Sequence, residues 1–197
     1  MATGALATET TTTHGELALV LHAHLPYVHS SEPGSLEEDW YFQALLECYI
    51  PLLATLEAAA ADPAQSPRLS LGLSPTLLSL LSSAELSRRF GPWLTVRLEL
   101  LQQAPSSHAT AAAALAQRLE HTAAIWQGCN GDLLPRFRLL QQAGVLDLLT
   151  CAATHGYLPL LRDCPEAVRA QLLTAVREHQ RLLGVRPQGI WLPECAY

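Results

Sequence analysis

Leu17-Ala-Leu-Val-Leu21, running directly into His22-Ala-His24-Leu-Pro-Tyr27, is the stretch on which the fold turns. The apolar run is too short for a helix and is bounded by Gly15 and Pro26. That combination predicts a fully buried strand of the kind found in parallel sheets. In a strand, residues i and i+2 point the same way, so His22 and His24 share one side at its carboxyl end.

Working outward, Leu36 to about Ala61 carries Trp40, Leu45, Tyr49, Leu52, Leu53 and Leu56 at helical spacing, with Pro51 predicting a kink or break. Asp62 to Pro67 reads as a loop, and Arg68-Leu-Ser-Leu-Gly-Leu73 as a second strand ending at Ser74-Pro75-Thr76. Ser82 and Glu85 have capping-box spacing for a helix from about Ser83, followed by helices over 110–126 and 132–143, the last stopped by Gly144. Val145 to Ala152 is a third strand. Asp163 and Glu166 are spaced to cap a helix whose stripe is Val168, Leu172, Val176 and Leu183, ended by Gly184. Pro187 to Leu192 is a fourth strand. Strands alternating with helices mean an α/β fold with a parallel sheet. About seventy residues between the second and third strands exceed one crossover and predict a helical insertion.

Composition narrows the function classes. Of 197 residues, 49% are apolar and 15% charged, so the chain can bury a core. A closed eight-unit α/β barrel typically takes about 250 residues, so this length is short for one. Twelve basic residues against eighteen acidic ones give a net charge of −6. All the basic residues are Arg, without a basic run, which argues against nucleic-acid or anionic-membrane partners. The lack of Lys excludes Schiff-base chemistry and P-loop phosphate binding. Five cysteines without a C-x-x-C pair suit reduced thiols and predict a cytoplasmic location. No signal peptide or membrane-spanning run is expected, and the Thr-rich segment 1–15 is expected to be a disordered tail.

Chemistry in parallel α/β folds collects at the carboxyl ends of the strands. That rim holds His22, His24, Tyr27, Ser74, Thr76, His155, Tyr157, Trp191, Glu194 and Cys195, while His14, His29, His108, His121 and His179 fall in the tail, loops or helix surfaces. A strand pair of histidines is as readily a satisfied core feature as a binding set, although shared orientation favours binding. An H-x-H pair on a first strand also suits zinc, but neither a nearby Asp nor a bridging Lys accompanies it. Tyr27, Trp40, Tyr157 and Trp191 are by default core aromatics, and Cys195 a small buried residue. Glu194 is the foremost candidate, because a carboxylate following an apolar strand is costly unless paired or used.

Three ordered stretches then resemble family 57 of the glycoside hydrolases, in its 1,4-α-glucan branching subgroup: Leu19–Val28, Ala153–Leu161 and Gly189–Tyr197. Glu37-Glu-Asp-Trp-Tyr-Phe and Glu47-Cys-Tyr-Ile-Pro-Leu-Leu53 are similar to the same subgroup. The resemblance implies the N-terminal part, about four β/α units, of a (β/α)7 barrel over 16–197. It also implies retaining chemistry on α-glucan without a cofactor or catalytic metal. By motif match Glu194 would be the nucleophile, and His22, His24, His155, Trp40, Tyr27 and Trp191 would contact the sugar. The family's acid/base is an Asp from a later region, and Asp39, Asp132, Asp147 and Asp163 sit in helix starts, loops or strand middles. The chain is therefore expected to be an inactive piece of a branching enzyme whose partner would be the rest of the barrel. The rival expectations are an accessory glucan-binding subunit and a metal-dependent amidohydrolase or deacetylase resting on His22-x-His24.

Overall fold

Apolar alternation and the Gly/Pro boundaries give four strands: β1 (Val20–Ala23), β2 (Leu69–Leu73), β3 (Leu146–Cys151) and β4 (Ile190–Trp191). This computed structural model describes residues 15, 17–29, 32–62 and 68–197. The expected tail, apart from Gly15, and most of the loop 62–67 lie outside the described residues. All neighbouring strands are parallel, in the order β1-β2-β3-β4. Each crossover adds its strand beside the previous one without a reversal of direction, which is the winding of a barrel and not of a doubly wound sheet.

The strand boundaries differ from expectation at both edges. Leu17 is 92% exposed and Leu19 49%, so the apolar run starts outside the sheet and the strand extends through His22 instead. The expected full burial fails because β1 lacks a neighbour on its outer side among the described residues. The fourth strand shrinks to two residues for the same reason. Inside the sheet, Leu69, Leu71 and Leu73 of β2 and Leu146 and Leu148 of β3 point into the helical layer, where the core sits.

The first helix is continuous from Leu36 to Ala60: α1 (Leu36–Ala44), a π-helical turn (Leu45–Tyr49) and α2 (Ile50–Ala60). Pro51 does not break it. Proline cannot donate to the carbonyl of residue i−4, and the widened turn absorbs that loss. The Arg118 guanidinium instead reaches the Glu47 carbonyl at 3.5 Å. At 25 residues this helix is long and apolar enough to span a membrane, contrary to expectation. Its Tyr41, Phe42, Leu45, Ile50, Leu53 and Leu56 are nevertheless packed in the core.

Between β2 and β3 lie α3 (Pro75–Leu81), α4 (Ala84–Gln102), α5 (Ala109–Gly128) and α6 (Leu134–Gln142). Phe42, Phe90, Trp93 and Trp126 form one aromatic cluster between α1, α4 and α5. The cap of α4 is Ser83, whose hydroxyl accepts from the Leu86 amide, and not Ser82, which closes α3. The last helix, α7 (Pro165–Leu183), lacks the expected Asp163 cap and starts on Pro165 after Cys164. Its buried stripe is Ala175, His179 and Leu183, and Val168, Leu172 and Val176 are only half-buried beside it. His179, expected on a helix surface, is fully buried.

Candidate active site at the carboxyl ends of the strands

The register of β1 on β2 sets His22 opposite Gly72. A Cβ at position 72 would lie 2.7 Å from His22 Nδ1, so the imidazole occupies the space that glycine leaves. Its ring stacks on Trp191 at 4.9 Å, with the planes 9° apart. His155 arrives from the loop after β3, in left-handed backbone with φ 56°. Its Nε2 is 3.0 Å from His22 Nε2, and its ring stacks on His24 at 3.7 Å.

Glu194 follows β4 on a short 3₁₀ turn (Pro193–Cys195), with φ 57° and ψ 25°, and Cys195 is also left-handed at φ 53°. For residues with a Cβ this conformation is strained, and strained positions cluster where function fixes them. The Glu194 Oε1 lies 3.7 Å from His155 Nδ1. Its side chain is 71% exposed, so the cost of burial that singled it out is not what holds it. Cys195, expected buried, is exposed.

Hydrogen-bond accounting assigns the tautomers. The Thr76 hydroxyl donates to the Leu25 carbonyl at 2.8 Å, and Ser74 Oγ accepts from the Leu77 amide at 3.2 Å. The two hydroxyl oxygens sit 3.0 Å apart, and Ser74 alone has a proton left to place between them. His24 Nδ1 lies 2.9 Å from Ser74 Oγ and 3.4 Å from Thr76 Oγ1, and every one of these contacts is served when it is the donor. That leaves His24 Nε2 as a lone-pair acceptor. Tyr49 fixes the same segment by donating to the His24 carbonyl at 3.1 Å. Between His22 and His155 one proton suffices. The buried His22 Nδ1 has no hydrogen-bond partner.

Burial, with repulsion from His155 second, lowers His22 and His24 to a pKa of about 4. At neutral pH both rings are uncharged and able to bind hydroxyl groups.

The structure thus brings together His22, His24, His155, Trp191 and Glu194. Trp40 is 57% exposed on α1 and Tyr27 60% exposed, its ring against His29 at 6.0 Å. Neither shares a hydrogen bond or ring contact with the cluster, and neither is a core residue. Sequence reasoning left Ser74 and Thr76 without a role and overlooked Gly72. The signal for Ser74 was its place before Pro75, the signature of an N-cap.

Residues 18–197 match the family described as Glycosyl hydrolase family 57. A 1,4-alpha-glucan branching enzyme of Thermococcus kodakarensis is 36% identical over 93% of this chain and 27% of its own. A probable 1,4-alpha-glucan branching enzyme of Mycobacterium tuberculosis is 30% identical over 93% of this chain and 38% of its own. Among solved structures, the alpha-amylase AmyC of Thermotoga maritima superposes with a TM-score of 0.85 at 32% identity, covering 93% of this chain and 36% of that one. The branching enzyme of Pyrococcus horikoshii gives 0.85 at 34% identity, covering 93% and 35%. The chain therefore spans about a quarter to two fifths of the length of these relatives. Its four parallel strands are those of the N-terminal part of a (β/α)7 barrel. The chain belongs to glycosyl hydrolase family 57.

Proposed function

We propose that this chain carries the donor-sugar side of an α-glucan site of the retaining, branching type, with Glu194 as the nucleophile. The observation that carries the reading is Glu194 itself, held in left-handed backbone beside His155 at the end of β4. In this reading the Glu194 carboxylate attacks the anomeric carbon and the glycosidic oxygen leaves with a proton from a second carboxyl, giving a glucosyl ester. An acceptor hydroxyl, its proton returned to that second carboxylate, then displaces the ester with net retention. His24 Nε2 accepts from one sugar hydroxyl, and His22, His155 and Trp191 shape the pocket. Trp40 and Tyr27, both exposed, contact glucan further from the bond.

A retaining mechanism needs a second carboxyl about 5–5.5 Å from the first. Glu194 is the one carboxylate among the described rim segments 24–29, 74–76, 152–158 and 192–197. We therefore expect the 197-residue chain to bind amylose without converting it. Iodine-complex absorbance and new α-1,6 linkages on amylose test turnover, and clear branching overturns that expectation. Affinity electrophoresis in amylose gels tests binding. His22→Ala and Trp191→Ala should each weaken it about fivefold, the ~1 kcal/mol of one interaction. Unchanged mobility in both overturns the sugar-site assignment.

A second reading, an accessory subunit that completes a barrel with a partner polypeptide, is favoured by the edges of β1 and β4, which are unpaired among the described residues. Leu19, Val20 and Ile190 are exposed there. Saturable co-elution with a polypeptide bearing the later barrel strands of a related enzyme supports it, and separate elution counts against it.

A further inference from the structure

At the amino ends of the strands, the opposite end from Glu194, a cleft of about 650 Å³ opens between the strand starts and the loops that lead into β3 and β4. Arg68 directly precedes β2, Arg138 stands on α6 and Arg186 lies in the turn before β4, and all three line this cleft. Gly144 (φ 74°) follows α6 and Gly184 (φ 80°) ends α7, and their left-handed backbone turns both chains back towards the sheet. None of the three guanidinium groups makes an ion pair or hydrogen bond among the described residues. Capping a helix end is the ordinary use of a basic residue in such a place, but backbone amides already serve the last turns. Leu139, Leu140 and Gln141 accept from the amides of Ala143, Val145 and Gly144, and Gln180 from that of Gly184. Three like charges lining one cleft repel one another, a cost that a bound anion removes. On the same cleft Ser70 Oγ donates to the Asp147 carboxylate at 3.4 Å. That carboxylate pairs with none of the three arginines, so the cleft has a cationic part and a separate part able to accept hydroxyl protons. Buried Leu69, Val145 and Leu183 form its apolar floor.

From this juxtaposition we infer that the cleft binds a phosphate monoester of a polyhydroxylated alcohol, the chemistry shared by sugar phosphates and nucleotides. Arg68, Arg138 and Arg186 donate charge-assisted hydrogen bonds to the phosphate oxygens, and Asp147 accepts from a hydroxyl of the alcohol. Three guanidinium charges against one carboxylate leave about two positive charges, the complement of a phosphate monoester near neutral pH. The volume suits a whole ester and not a bare phosphate, since small-molecule sites run from about 300 to 1,000 Å³. Binding is the whole event, and no bond is made or broken. The cleft shares no residue with the Glu194 site, so the proposal does not depend on the carbohydrate reading.

The test is isothermal titration calorimetry of the 197-residue chain at low ionic strength, with inorganic phosphate, glucose 6-phosphate and adenosine monophosphate as probes. At least one ester should bind at one equivalent and about tenfold or more tightly than inorganic phosphate, and the tighter ester identifies the alcohol. Arg68→Gln, Arg138→Gln and Arg186→Gln should each weaken that ester about tenfold, the worth of one charged hydrogen bond. Arg88→Gln and Arg177→Gln, which remove exposed arginines elsewhere, should leave it unchanged. Asp147→Ala should weaken the ester but not inorganic phosphate, a split that loss of fold does not produce. Of the cleft side chains replaced, Arg138 is half-buried and the others are exposed, and thermal unfolding without ligand separates loss of site from loss of fold. Absence of saturable binding by either ester, or equal affinity for inorganic phosphate, overturns the proposal. So does unchanged binding in the three cleft variants, or an equal loss in Arg88→Gln or Arg177→Gln. No amylose enters the measurement, so failure here and failure of the Glu194 reading are told apart.

Discussion

His179 is a buried imidazole with neither ring nitrogen hydrogen-bonded. Burial lowers its pKa to about 4, with Asp147 pulling weakly the other way. The unfolded chain takes up this proton near pH 6.5, and the folded chain resists it until about pH 4. Between those values the unfolded state holds more protons, so stability falls as pH falls through that window. His22 and His24 act in the same direction. Melting temperatures across pH 4–7 should therefore drop towards acid, and His179→Leu should flatten the slope; an unchanged slope refutes the assignment. The sequence put His179 on a surface because its neighbours Glu178, Gln180 and Arg181 are polar. Its stripe with Ala175 and Leu183 at intervals of four was readable, but a histidine in such a stripe carries no hydrophobic signal. His22, His24 and Glu194 were legible for the opposite reason, since their positions follow from strand ends alone.

At the scale of the element, Ser74 does two things at once. It caps α3 through the Leu77 amide and holds His24 Nδ1 at 2.9 Å. Ser74→Ala should cost about 1 kcal/mol of stability, the typical loss of a cap. It should also release the His24 tautomer, visible as averaged ring-nitrogen shifts in NMR, whereas Ser83→Ala costs a similar amount and leaves those shifts alone. Equal spectra in the two variants would separate the cap from the site. The helix after Leu36 shows the limit of local reading. Pro51 is a genuine helix-breaking signal, but the π turn before it and the packing of Phe42, Leu45 and Leu53 override it. Boundaries of β1 and β4 were misjudged because the apolar pattern reports what a strand is made of, and not whether a neighbour stands beside it.

Across the whole molecule, β4 is held by two residue pairings, Thr150 with Ile190 and Cys151 with Trp191. Few pairings, and an outer edge without a neighbour among the described residues, place it at the low-stability end of the fold. Amide hydrogen exchange at Trp191 and Leu192 should be at least about tenfold faster than at Leu71 and Leu148 in the central strands. Equal protection would show that β4 opens only with the global fold. The helical insertion was legible as length, and α4 to α6 by cap spacing and composition; α3 as a separate helix was not, nor the aromatic cluster that joins the insertion to α1, because its members lie far apart in sequence.

That insertion and the single sheet have a consequence for how the chain tolerates change. Leu21, Ala23, Leu69, Leu71, Leu73, Leu146 and Leu148 face the helical layer, while the alternate positions Val20, His22, Ser70, Gly72, Asp147 and Cys151 face the other way. Mutational damage should accordingly sort by parity along each strand. One set of positions governs whether the chain folds, the interleaved set what the folded chain can hold, and a one-residue insertion in any strand exchanges the two.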